Sequence, residues 1–347
     1  MHDVLPKPSE QRTPTGLWWD GRGVVAITMM FTGVLAAVLG TVATWTGDIP
    51  GLPGTDPLVR FGLPTVRVLL HLVAASTVGL ALLPLLSAQH GRARTQAALT
   101  AARRAAIATA LLWVLCCLVS LPLQAAEVAP GSEGVKTVLR YTFGLPAATG
   151  LLVSGACALV TAALSFVAAR GREMHPVLAP AFAILGLVPV PLTGHLTTGG
   201  AHGLAVLSVE LHVVGAAVWT GGLFAVALCL APLRGLLATT LPRYSTLAGV
   251  ALALVGLSGL VNAVTELVLT PGVGLAGLVT TRYGQLVLVK AVFLVVLGAL
   301  GAHVRWRLLP RILRHHRTAL LTWIGAELGV MGLAYGLGAV LARTPVG

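Results

Sequence analysis

Charge is what this sequence has least of. Asp, Glu, Lys and Arg make up 10% of its 347 residues, against about 25% in soluble domains, which excludes a water-soluble globular fold. Acidic residues are scarcest: 11, against 23 Lys and Arg, for a net charge of +12. That excess does not point to nucleic acid, because the basic residues sit in short loops between apolar runs, where they set membrane topology. Cysteine is rare as well. Cys116, Cys117, Cys157 and Cys229 all lie inside apolar runs without a CxxC spacing, so neither a zinc site nor a disulfide framework is implied. They read as small buried hydrophobes, and the adjacent Cys116 and Cys117 point to different sides of a helix. Beyond the initiator there are only Met29, Met30, Met174 and Met331, too few for a thioether ladder that would conduct a soft metal. No Walker motif, soluble domain, internal repeat or catalytic constellation is evident, and no enzyme is expected. The first sixteen residues, MHDVLPKPSEQRTPTG, have no apolar core and read as a short disordered tail, not a signal peptide.

What the sequence has is apolar length. Hydrophobic residues make up 56% and mean hydropathy is +0.90, so most of the chain can be spent on helices of about 20 residues, the length that crosses a bilayer. Nine spans are expected: 24–45, 64–86, 105–123, 141–169, 177–193, 207–230, 244–269, 284–304 and 320–341. The fold class is an all-α, polytopic transmembrane bundle, with a tail over 1–22, five helices over 23–190 and four over 191–347. Pro189 and Pro191 should kink or stop the fifth span. Gly215, Gly221 and Gly222 in the sixth, and Gly249, Gly256 and Gly259 in the seventh, would let helices approach closely in lipid.

Charge sets the expected orientation. The tail and alternate loops hold Lys7, Arg12, Arg22, Arg92, Arg94, Arg103, Arg104, Arg170, Arg172, Arg234, Arg243, Arg305, Arg307, Arg311, Arg314 and Arg317. The other side holds Arg60, Arg67, Lys136, Arg140, Arg282 and Arg343. Positive residues favour the cytoplasm, so the N-terminus is expected inside and the C-terminus outside.

On this topology, polar groups from several segments fall at one depth, the outer leaflet. His71 lies about two turns into the second helix. His195 and His202 lie in the connection before the sixth helix, Glu210 and His212 in that helix's first turns, and Asn262 and Glu266 near the outer end of the seventh. Ionisable groups inside apolar segments usually have a partner or a function, and imidazole suits copper, zinc, iron or nickel. His195, His212, His202 and His71 are therefore the candidate metal ligands, with His195 and His212 expected to approach each other at the outer mouth. Glu210, Asn262 and Glu266 are available to orient the rings. Trp219, seven residues from His212, shares its face and can wall the site. Lys290, about two turns into the eighth helix, could snorkel or pair with Glu266. Glu327, in the inner half of the ninth, could serve as a proton or ion step. His2, His90, His175, His303, His315 and His316 fall at cytoplasmic positions and read as loop or interface residues.

The run TGH followed by ELHVVGAAVWTGGL resembles the bacterial copper resistance protein D family, in which a GH motif precedes a helix opening on an acidic residue and LH and continuing to WxGGL. The resemblance continues through RYSTLAGVALALVGLSGLVNA, TRYGQLVLVKAVFL and RWRLLPR, and covers His195 to Arg311. By position, His195, His212, Trp219, Asn262, Tyr283 and Lys290 fall on the matching motifs, while His202 has no settled counterpart. The resemblance implies copper handling, usually uptake across the bacterial inner membrane, and allows a periplasmic copper chaperone as partner. Two other functions remain open: a haem-binding electron carrier using two histidines such as His71 and His212 as axial ligands, and a non-transporting factor that delivers copper to oxidase. Because ligating imidazole must be unprotonated, copper affinity should fall as pH drops through about 6.5.

Overall fold

The structure, a computed structural model, describes residues 21–45, 56–87, 93–131, 134–189, 202–314 and 319–346, excepting the side chains of 93, 94 and 202–204. All secondary structure among them is helical. The first part of the chain forms α1 (Arg22–Thr44), α2 (Pro57–Leu86), α3 (Ala93–Val128), α4 (Val135–Gly144), α5 (Pro146–Ala169) and α6 (Leu178–Leu185). The second part forms α7 (His202–Ala225), α8 (Arg234–Leu269), α9 (Gly277–Thr280), α10 (Arg282–His303), α11 (Leu309–Leu313) and α12 (Leu320–Leu341). Single π-helical turns, Val226–Leu230 and Val304–Leu308, extend α7 and α10. Helices satisfy their own backbone, as a lipid environment demands, and their starts carry local signals. The Asp56 carboxylate accepts from Leu58 N at 2.7 Å with Pro57 in the first turn, and Thr281 Oγ1 accepts from Gly284 N at 3.0 Å.

Eight helical stretches among the described residues are long and apolar enough to cross a membrane: α1, α2, α3, α5, α7, α8, α10 with its extension, and α12. The expected fifth span, 177–193, is not among them. Its helix α6 has eight residues and ends at Leu185, four residues before Pro189, whose ring would clash with that carbonyl. The segment nonetheless climbs along α5. Leu178 and Ala179 lie beside Leu164 and Ala168, Gly186 packs on Cys157 and Trp113, and Pro189 faces Gly150. Residues 190–193 lie outside the described set.

Other boundaries move too. The expected basic loop before the third span is largely helix, because α3 already runs from Ala93; its Ala- and Arg-rich sequence favours helix whatever its charge. The expected fourth span is broken at Leu145, which is extended (φ −122°, ψ 134°) ahead of Pro146, as a residue before proline prefers.

Arginines mark the two ends of the bundle. At one end Arg22 donates to Leu228 O, Arg103 to Ala168 O, Arg243 to Leu86 O and Arg305 to Ser245 Oγ. At the other, Arg282 donates to Thr44 O, Arg60 stacks over Trp45, and Arg343 pairs with Glu127. The first helix thus starts at the Arg22 end and the last finishes at the Arg343 end.

The most enclosed helices are α2 and α7, each 72% buried across its apolar window, whereas α10 is 6% buried and faces outward. The two central helices run parallel and cross backbone to backbone. A Cβ on Gly79 would overlap the Gly221 carbonyl, and one on Gly221 would overlap Ala75 O. At the α1–α12 contact, Gly332 and Gly336 lie against Met29 O and Gly33 O in the same way. Gly222 lies on the Tyr244 ring, but Gly249 has nothing within 4 Å, so the packing role expected for Gly249 does not hold.

Candidate functional site

His71 and His212 stand at similar depth on the two central helices. Counting outward from the Gly79–Gly221 crossing at about 1.5 Å per residue, they lie about 12 and 13.5 Å away. Their rings are held in a common way. His71 Nδ1 lies 2.7 Å from Arg67 O, one turn back along α2. His212 Nδ1 lies 3.1 Å from Val255 O and 3.2 Å from Ser258 Oγ on α8. Ser258 Oγ itself donates to Leu254 O at 2.6 Å, so it can accept from the imidazole. A carbonyl oxygen only accepts, so in both neutral rings Nδ1 carries the proton and Nε2 keeps its lone pair. Anchoring one ring nitrogen on a carbonyl is how proteins orient a histidine to ligate through the other.

Lys290 of α10 lies within electrostatic reach of both histidines, and its Nζ is 3.4 Å from where a Cβ on Gly338 of α12 would stand. The expected pairing of Lys290 with Glu266 is not found; Lys290 has no ion-pair partner among the described residues, and Glu266 lies near Tyr283. Tyr335 of α12 tilts toward His71, with ring centroids 6.4 Å apart. One buried oxygen nearby, Asn262 Oδ1, has no hydrogen-bond partner among the described residues, while the Tyr335 hydroxyl lies within reach of the Thr220 side chain. Asn262 sits one turn further along α8 from Ser258 and Gly259, the residues against His212.

Of the other expected site residues, His195 lies outside the described residues, and His202 opens α7 with its side chain outside them. The expected approach of His195 to His212 therefore also falls outside them. Glu210 is half-buried, two residues from His212 and on another side of α7. Trp219 is buried at 5% exposure; its carbonyl accepts from the Tyr244 hydroxyl at 2.7 Å, and its indole N–H lies against the Glu327 carboxyl. No group of three His, Cys, Asp or Glu side chains with metal-binding geometry occurs among the described residues; His71 and His212 do not form a complete ligand set by themselves.

Sequence reasoning missed the anchors: Ser258, the Arg67 and Val255 carbonyls, and Tyr335. Ser258 could have been found, since it lies one helical turn before the noticed Asn262 and shares its face. A backbone carbonyl leaves no mark in a sequence.

Two family models match the chain: copper resistance protein D-like, N-terminal domain, over residues 56–204, and copper resistance protein D, over residues 238–341. The first spans α2 to α6 and so contains His71; the second spans most of α8 through α12, with Asn262, Lys290, Glu327 and Tyr335. No curated protein and no solved structure matches the chain. Together the two models cover most of the chain in the expected order, and the eight apolar helices make it a multi-pass membrane protein. The chain belongs to the copper resistance protein D family.

Proposed function

We propose that this protein captures copper at the Arg343 end of the bundle and carries it toward the Arg22 end, which faces the cytoplasm of a bacterial cell across its inner membrane. The observation that carries this reading is the shared anchoring of His71 and His212, each with Nδ1 on a backbone carbonyl, which leaves the lone pair on Nε2. His195 and His202 complete the ligand set from the stretch that leads into α7. Asn262 Oδ1, without a partner among the described residues, receives a hydrogen bond from the incoming ion's water or accompanying ligand. Orientation follows from the arginine-rich Arg22 end, which the positive-inside preference places in the cytoplasm. The function is binding and transfer without catalysis. A copper chaperone outside the membrane is the natural donor, because a site reached from that side needs a supply of bound copper.

The test is copper stoichiometry of purified protein together with cellular copper content, for wild type, His71→Ala, His212→Ala and His195→Ala. Loss of bound copper and of accumulation in the variants is expected. Unchanged accumulation in all of them removes the histidines from the pathway. A Soret band in the wild-type spectrum would instead assign His71 and His212 to haem. Loss of oxidase activity in a deletion strain whose total copper stays normal would assign the protein to copper delivery.

A further inference from the structure

Among the described residues, the half of the bundle nearer the Arg22 end holds one buried acidic group that the copper reading does not use. Glu327 of α12 is 4% exposed and lies among helices that cross the membrane. The groups facing it are few. From α7 comes the Trp219 indole N–H; from α8, the Tyr244 hydroxyl, which is engaged with Trp219 O. From α10, Gly301 leaves its Oε1 open, 3.8 Å from where a Cβ would stand. Of the basic side chains at this end, Arg305 lines the same cavity and is engaged on Ser245 Oγ at 2.9 Å, Arg22 donates to Leu228 O, and the His303 ring stacks on Trp323 at 4.2 Å. Glu327 has no ion-pair partner among the described residues. Lys290 lies near Gly338, eleven residues along α12, or about 16 Å away.

A carboxyl without an ion-pair partner inside a membrane is expensive as an anion and needs either a counter-ion or a proton. A route for the proton is present. Glu327 lines a partly open cavity of about 40 Å³, bounded by Tyr244, Ser245, Gly301 and Arg305. That is room for about two or three waters, and the walls supply the polar partners that waters require. The cavity ends at the Arg305–Ser245 contact, which belongs to the Arg22 end of the bundle.

We propose that Glu327 is a proton-exchange carboxyl, reached by water from the Arg22 end through this cavity. In the forward step the acid O–H bond breaks, its electron pair stays on the carboxylate oxygen, and the proton leaves on a cavity water as hydronium. The return step reverses it. The Trp219 N–H steadies the anion while it exists, in place of a salt bridge. The assignment stands whether or not the histidines hold copper.

Dicyclohexylcarbodiimide tests it, because this apolar reagent adds to protonated carboxyls in membrane interiors. Full-length protein in detergent is treated across a pH series, and the adduct is located by mass spectrometry of peptides. The expected result is an adduct on Glu327 whose yield falls severalfold as pH rises, is absent in Glu327→Gln and returns in Glu327→Asp. No adduct at Glu327 at any pH in monodisperse wild-type protein, or a yield indifferent to pH, overturns the proposal. The wild-type series decides by itself if the variants do not fold. Infrared difference spectra across a pH step give an independent reading. A carboxylic C=O band present in wild type and lost in Glu327→Gln is expected, and identical spectra would refute it.

Discussion

Substituting Gly79 by Ala tests the packing on which the site depends. The new Cβ would fall inside the Gly221 carbonyl group. Non-bonded carbons need about 3.5–4.0 Å, so α2 and α7 must part by roughly 2 Å for the methyl to fit. Overpacking of this kind costs about 1–3 kcal/mol, only partly offset by the better helix propensity of Ala, worth up to about 1 kcal/mol. At about 2–4 °C per kcal/mol for a chain of moderate size, Tm should drop by roughly 5 °C. Gly249→Ala is the control. It makes the same chemical change on α8, where nothing lies within 4 Å, so the propensity gain stands alone and Tm should hold or rise by about 2 °C. Thermal unfolding of both variants in one detergent, followed by loss of the monodisperse peak on size exclusion, compares them directly. Copper binding should weaken in Gly79→Ala as well, because parting the crossing moves His71 relative to His212. Equal Tm for Gly79→Ala and wild type would refute the backbone contact at this crossing, and equal losses in the two variants would refute the reasoning from local space.

Ser258→Ala removes one of the two acceptors at His212 Nδ1 and leaves the Val255 carbonyl; copper affinity by competition titration should fall about tenfold, the low end for loss of a ligand-orienting partner. Lys290→Met removes a cation within electrostatic reach of both histidines, so copper should bind about tenfold tighter and leave more slowly; weaker binding would show that Lys290 holds an anionic companion of the ion. Glu127→Gln breaks the pair with Arg343, whose side chains are 36% and 25% exposed; a loss of no more than about 1 kcal/mol is expected, since water screens such pairs, and a larger loss in thermal unfolding would mean the pair is shielded by lipid.

The spans were legible because a membrane makes hydropathy explicit. A helix that must satisfy its backbone in lipid is written as a long apolar run, and α1, α2, α5, α7 and α12 lie close to where such runs fall. The errors came from a second signal overriding the first. The arginines near the start of α3 suggested a loop, yet Arg103 and Arg104 stand on continuous helix, Arg103 reaching Ala168 O from its side. Side-chain length resolves the conflict: arginine can leave its charge at the edge while its backbone stays helical. At α6 the proline signal was the better guide: the apolar run extends to residue 193, but Pro189, expected to kink or stop the span, ends the helix at Leu185 through a clash that hydropathy does not register.

The site was legible in its residues but not in its relations. His71, His212 and Lys290 stood out as polar groups in apolar surroundings, and the structure brings Lys290 within reach of both histidines from a third helix. What could not be read was the choice each polar group makes between neighbours. Glu266 was available to Lys290 at the same depth, yet it lies near Tyr283. Imidazole shows the same gap most clearly: a histidine in a sequence has two equivalent claims to be a ligand atom, and only the Arg67 and Val255 carbonyls decide that Nε2 is the one left. That decision leaves each of two half-buried histidines with its lone pair on Nε2, which is why the copper reading rests on two backbone oxygens that no residue name records.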